Sequence, residues 1–221
     1  LWMVLVLLVI ATGLLAHTGV DLQVSAFFYR NGVWPTGEQF PWKLLYRIDR
    51  APAVLLAVGW LVVVIRSYRV SNLVQWRRAG ICLVLLLILG PGLLVNSILK
   101  EHWGRPRPRE IQQYGGTKQF QQPWQPDFTA KGRSFPSGHS SAAFFLATPW
   151  FVYRYRRPAV AQGWLWCGIG FGVLMSIARM AQGGHFLTDC LWAFGVVWLT
   201  GQLLTALLLP DQEQQEGGQA C

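Results

Sequence analysis

The stretch 79–99 reads AGICLVLLLILGPGLLVNSIL and runs, without a charge, into Lys100-Glu-His-Trp-Gly-Arg-Pro-Arg107-Pro108. The apolar part is long enough to cross a bilayer, which takes about 20 such residues. The polar part then places several cations at its end. The same juxtaposition recurs twice. Ser134-Phe-Pro136-Ser137-Gly138-His139 opens an apolar stretch at roughly 136–153. Arg179-Met-Ala-Gln-Gly-Gly-His185-Phe-Leu-Thr-Asp189 joins the stretches 160–178 and 190–209. With 1–16 and 51–65 these make six candidate spans. The predicted fold is all-α, a polytopic membrane helical bundle of six transmembrane helices, one domain over 1–210 with a polar tail at 211–221.

Composition supports the membrane assignment. Of 221 residues, 52% are hydrophobic and 13% charged, and mean hydropathy is positive. The formal charge of +9 would by itself allow a nucleic-acid partner. The apolar runs exclude that reading, because a soluble basic domain has no use for so many. The stretch 51–65 is the weakest span, and Leu44-Leu45-Tyr46 can lengthen it. Leu1 in place of an initiator Met leads us to expect a natural start upstream. The stretch 1–16 is read as a span, since no small-residue cleavage site of a signal peptide follows it. Cys82, Cys167, Cys190 and Cys221 form no CxxC pair, and the three that lie in apolar stretches read as packing residues. Gly90-Pro91-Gly92 predicts a kink, which neighbouring helices can accommodate.

Charge sets an expected orientation. The loop after the second span carries Arg66, Arg69, Arg77 and Arg78, and the loop after the fourth carries Arg154, Arg156 and Arg157. By the positive-inside rule both lie in the cytoplasm. The three polar blocks then share the opposite, external face, which in a bacterium is the periplasmic side of the inner membrane. The loop after the third span breaks the rule with Arg105, Arg107, Arg109, Lys118, Lys131 and Arg133, and anion binding gives that excess a reason.

The side chains on that face suit phosphoryl transfer. Cations stabilise the anionic oxygens of a phosphate ester as it reacts. Lys100 offers a point charge, and Arg107 and Arg179 offer planar forks. Ser137 reads as a helix N-cap, with Gly138 allowing close approach to the backbone. His185 and Asp189 are one helical turn apart. A carboxylate accepting from one ring nitrogen would leave the other free to attack. His139 is an ionisable group beside a span, which points to function. No carboxylate cluster suggests a metal.

These residues, at these spacings, resemble the type 2 phosphatidic acid phosphatase family of integral membrane lipid phosphatases. Its signature is Lys-x6-Arg-Pro, Pro-Ser-Gly-His and Ser-Arg-x5-His-x3-Asp. The chain matches with Lys100 to Arg107-Pro108, Pro136 to His139, and Arg179, His185 and Asp189. It departs at Ala178, where the family usually has Ser. The resemblance implies His185 as nucleophile through a phosphohistidine, Asp189 orienting it, and His139 protonating the leaving oxygen. Lys100, Arg107, Ser137, Gly138 and Arg179 would hold the phosphate, with no metal and no cofactor. The implied substrate is a phospholipid such as phosphatidic acid or phosphatidylglycerol phosphate, a polyprenyl diphosphate, or lipid A. Tyr114-Gly115-Gly116 and Phe120 resemble the corresponding loop of lipid A 1-phosphatases. Two rivals are a lipid phosphotransferase using the same phosphohistidine and a non-catalytic lipid transporter or binding protein. Transport would favour ionisable groups at mid-span, and the later spans are nearly bare of them.

Overall fold

The structure, a computed structural model, describes residues 1–210; the polar tail, with Cys221, lies outside the described residues. Ten α-helices make up most of it: α1 (Trp2–His17), α2 (Val20–Phe28), α3 (Trp42–Ile48), α4 (Ala51–Arg66), α5 (Arg77–Leu87), α6 (Lys100–His102), α7 (Gly138–Phe144), α8 (Pro149–Tyr153), α9 (Pro158–Ala181) and α10 (Leu187–Leu208). No strand occurs among the described residues.

Among the described residues four helical segments are long and apolar enough to cross a membrane: Trp42–Arg66, Ser71–His102, Pro158–Ala181 and Leu187–Leu208. A fifth candidate is the pair α1 and α2, bent by 66°. The bundle shows its apolar side chains outward, with Leu55 71% and Leu14 63% exposed. This reverses the arrangement of a soluble core and marks a protein embedded in lipid.

The expected weak span does lengthen toward its N-terminus, since Trp42–Arg66 qualifies as one segment. The expected fourth span is broken instead. A 3-10 turn at Phe145–Ala147 separates α7 from α8, and Pro149 starts the second piece. At ~1.5 Å per residue, the stretch from Gly138 to Tyr153 falls short of the ~30 Å hydrocarbon layer. It is also mostly buried, so it packs against protein rather than lipid.

Gly90-Pro91-Gly92 does not simply kink its helix. From Ile88 to Leu99 the winding relaxes to π-helix with Pro91 inside. Proline removes a donor, and Asn96 Nδ2 donates to the Pro91 carbonyl at 2.6 Å. Close packing elsewhere relies on small residues. Gly168 and Gly172 leave no room for a Cβ against Ala147 and Phe144, which lets α9 press against the α7–α8 stretch. The main core joins Ala53, Ala57 and Trp60 of α4 to Cys82, Leu83 and Leu86 of α5, with Phe145, Val197 and Leu204.

Candidate active site

Backbone hydrogen bonds stitch the three polar blocks together at one end of the bundle. Arg109 N donates to Gly183 O at 3.1 Å, Ser134 N to Arg105 O at 3.0 Å, and Ser137 N to Asp189 O at 3.1 Å. Arg107, His139 and Arg179 thereby line one cavity of about 430 Å³. Lys100 is 7% exposed and Arg179 5%. Of the eight residues expected from sequence, Arg107, His139 and Arg179 line this cavity; Ser137 is tied to Asp189 through its backbone.

His185 is fully buried. Its Nδ1 lies 2.7 Å from the Ser134 carbonyl oxygen. A carbonyl only accepts, so Nδ1 carries the hydrogen and Nε2 keeps its lone pair. That Nε2 is buried with no hydrogen-bond partner among the described residues. Burial pushes the imidazole pKa down to about 4, and the Arg179 charge adds to this while Asp189 opposes it. The ring is therefore neutral at pH 7.

Asp189, expected to orient the ring, lies one turn away on α10. Its Oδ2 stands 3.8 Å from Nδ1, too far for a hydrogen bond, and the Ser134 carbonyl fixes the tautomer instead. Asp189 accepts from Arg105 Nη1 at 2.5 Å, Ser134 Oγ at 2.6 Å and Phe186 N at 2.7 Å. It ties the turn that carries His185 to the loop segment that carries Ser134.

Arg107 and Arg179 line the cavity with no carboxylate partner among the described residues, and the buried Lys100 feels both charges. Lys100 makes no ion pair there, and the buried Nε atoms of Arg107 and Arg179 have no partner. Arg179 Nη1 donates to Gln182 Oε1. A Cβ on Gly184 would collide with the Arg179 guanidinium, so glycine makes room for the cation. Unpaired buried charge is costly, and its concentration on one cavity wall fits an anionic ligand.

Ser137 is the N-cap of α7, accepting from Ser140 N at 3.3 Å. Gly138 is also needed for packing. The space of its missing Cβ is filled by Asn96 Oδ1. His139 Nε2 lies 3.3 Å from Asp49 Oδ2, and the Tyr46 ring stacks on the imidazole.

Several of these partners were not singled out from sequence. Arg105 reads there as one of a cluster of surface cations, yet it is fully buried. It bridges Asp189 and Asp21 Oδ2 (2.8 Å), and donates to Thr188 Oγ1 at 2.9 Å and Gln121 O at 3.0 Å. Asp21 Oδ1 also accepts from Thr188 N at 2.9 Å, which makes Thr188 part of this network. The available signal was Asp21 itself, an acid inside the apolar run Val20–Phe28. Ala178 is fully buried. Among the described residues no group of three His, Cys, Asp or Glu side chains is placed to hold a metal ion.

Known proteins resemble the chain on both sequence and fold. The family model "PAP2 superfamily" matches residues 79–212. A lipid A 4'-phosphatase of Francisella tularensis subsp. novicida is 33% identical over 143 residues, 63% of each chain. Thus the chain's match spans under two thirds of that relative. A lipid A 4'-phosphatase of Rhizobium leguminosarum is 28% identical over 219 residues, 91% of each chain. These relatives carry the 4'-phosphatase name, not the 1-phosphatase name expected from the Tyr114 loop. The crystal structure of a transmembrane PAP2 type phosphatidylglycerolphosphate phosphatase from Bacillus subtilis superposes with a TM-score of 0.60 at 20% identity, covering 96% of this chain and 95% of that one. The family match, the shared helical fold and the gathered motif residues lead to one conclusion: the chain is an integral membrane protein that belongs to the PAP2 superfamily.

Proposed function

We propose that the protein is a lipid phosphatase that removes a phosphate from lipid A or a related phosphorylated membrane lipid, through a phosphohistidine on His185. The observation that carries this reading is the His185 ring. Its tautomer is set by the Ser134 carbonyl at 2.7 Å, its Nε2 is buried with no partner among the described residues, and the Arg179 and Lys100 charges act on it.

The cations would hold the phosphate oxygens, with the Ser137–Gly138 turn behind them. His185 Nε2 attacks phosphorus, and His139 gives a proton to the departing lipid oxygen. Water then attacks the phosphohistidine, with His139 taking back its proton. Asp189 acts at one remove, by fixing Ser134 and the His185 turn. The names of the relatives favour lipid A as the substrate class. The Arg-rich loops at 66–78 and 154–157 support a site on the periplasmic side of a bacterial inner membrane. That orientation requires six crossings, with the bent α1–α2 pair as the first and the short, protein-packed α7–α8 stretch carrying the chain across as the fourth.

Two variants test the chemistry. His185→Ala should be inactive on lipid A and on nitrophenyl phosphate alike. His139→Ala should retain more relative activity on nitrophenyl phosphate, whose leaving group departs without a proton. Turnover near wild type by His185→Ala on either substrate refutes the phosphohistidine.

A further inference from the structure

An imidazole that is to protonate a leaving oxygen must already carry two hydrogens. His139 stands where that is hardest. Facing it are Arg179 from α9, Lys100 from the end of the π-helical segment, Arg50 at the start of α4 and His185 from the α9–α10 turn. Arg107 lines the same cavity from the loop after α6. Apart from neutral His185, each is a cation and disfavours an imidazolium. Arg47, Arg109 and Lys43 line the cavity too, Lys43 paired with Glu38 at 3.1 Å, and the carboxylate that faces the imidazole itself is Asp49. Asp49 Oδ2 lies 3.3 Å from His139 Nε2, at the junction of α3 and α4. Almost one turn earlier, the Tyr46 ring stacks on the imidazole with centroids 5.3 Å apart and planes 26° from parallel. The same ring lies 4.8 Å from the Arg179 guanidinium carbon. His139 Nδ1 is buried and has no partner among the described residues.

We propose that Asp49 and Tyr46, at the head of the Trp42–Arg66 segment, are positioning residues for the general acid. Asp49 holds the imidazolium of His139 by Nε2, so that Nδ1 is the atom that delivers the proton. Tyr46 fixes the plane of the ring and faces the cation next to it. The inference rests on the phosphohistidine reading above. In the first half-reaction the His185 Nε2–phosphorus bond forms as the phosphorus–oxygen bond to the lipid breaks. The bonding pair stays on the lipid oxygen, which takes the Nδ1 proton of His139. In the second, water adds to phosphorus, the nitrogen–phosphorus bond breaks, and a proton of that water returns to Nδ1. Asp49 remains a carboxylate throughout. The competing role for Asp49 is structural, because it also stands 3.6 Å from Arg50 Nε and accepts from Arg50 N.

The test compares wild type, Asp49→Asn, Asp49→Ser, Asp49→Glu and His139→Ala, each as the whole chain purified in detergent. Substrates are a lipid monophosphate and nitrophenyl phosphate, assayed across pH. The acid works only when protonated, so activity is lost as pH rises through the His139 pKa. Removing a neighbouring carboxylate lowers that pKa. Asp49→Asn should therefore lose about 10- to 100-fold in kcat/KM on the lipid, lose less on nitrophenyl phosphate, and show its alkaline limb at lower pH. Asp49→Glu should restore the limb. Asp49→Ser is run beside the amide, so that a folding defect of one variant does not stand in for the result. If His139→Ala discriminates between substrates but Asp49→Asn and Asp49→Ser lose equally on both with an unmoved limb, the positioning role is overturned and the phosphatase reading stands. If His139→Ala itself hits both substrates equally, the acid assignment falls and the role of Asp49 falls with it.

Discussion

Replacing Arg105 by Met should destabilise the protein far more than the same change at Arg109, four residues along the same loop. The Arg105 side chain is 0% exposed and its two carboxylate partners, Asp21 and Asp189, are 2% and 0% exposed. Methionine fills much of the volume but removes the cation from between two buried acids. Breaking a buried ion pair from one side costs about 3–5 kcal/mol. For a chain of this size that corresponds to a fall of roughly 6–20 °C in apparent Tm. Tryptophan fluorescence during a thermal ramp in detergent, with 12 tryptophans as reporters, reads this directly, and all variants share one scan rate because such unfolding is rarely reversible. Adding Asp21→Asn to Arg105→Met should recover part of the loss, since one buried carboxylate then remains. Arg109 is exposed, and Arg109→Met should stay within about 0.5 kcal/mol of wild type. An Arg105→Met melt within about 2 °C of wild type would show that the buried network contributes little and that the reasoning is wrong.

Gly184→Ala should displace the Arg179 guanidinium and lower kcat/KM by about 10- to 100-fold, the loss of one charge-assisted contact, with little change in melting temperature; unchanged kinetics would count against Arg179 as a phosphate ligand. His185 must be neutral to attack, and burial takes its pKa down to about 4. The kcat for a lipid monophosphate should thus survive below pH 6 and decline only toward pH 4, so an acid limb near 6.5 would contradict the buried, neutral ring. A cysteine introduced beside Gly115 should react with an impermeant thiol reagent on intact cells and one beside Tyr155 should not, and the reverse labelling would place the site on the cytoplasmic side.

The residues whose identity is chemical were legible in the sequence. Lys100, Arg107, His139, Arg179 and His185 are titratable or cationic groups at the ends of apolar runs, and few other functions explain them there. The all-helical membrane character was equally plain from the runs themselves. What could not be read was the set of partners brought in across long separations. Arg105, Arg107 and Arg109 alternate with prolines and a glutamate within a single short stretch, and nothing local says that the first is core, the second faces the cavity and the third is rim. That division depends on Asp21, which sits more than 80 residues away in α2. The tautomer of His185 is set by a backbone carbonyl, which has no sequence signature at all. Tyr46 in α3 and Asp49 just after it lie in a stretch whose mixed composition gave no period to follow. The broken fourth span escaped because burial against α9, not lipid contact, sustains its apolar run.

The relaxed winding between Ile88 and Leu99 has a bearing on how chains of this kind should be compared. An α-helix advances about 100° per residue, whereas π-winding closes its hydrogen bonds one residue later and turns each residue through a smaller angle. Over this stretch the difference accumulates, so the azimuth at which Lys100 leaves the helix is decided by the winding and not by the number of residues before it. Two chains with identical spacing between the arginine pair that opens this helix, Arg77-Arg78 here, and this lysine could present it to different neighbours. A chain with one residue fewer, wound as a plain α-helix, could present it to the same one. Gap placement in this helix therefore carries geometric information, and a one-residue gap near Pro91 marks a change of winding and not a loss of the lysine from the site.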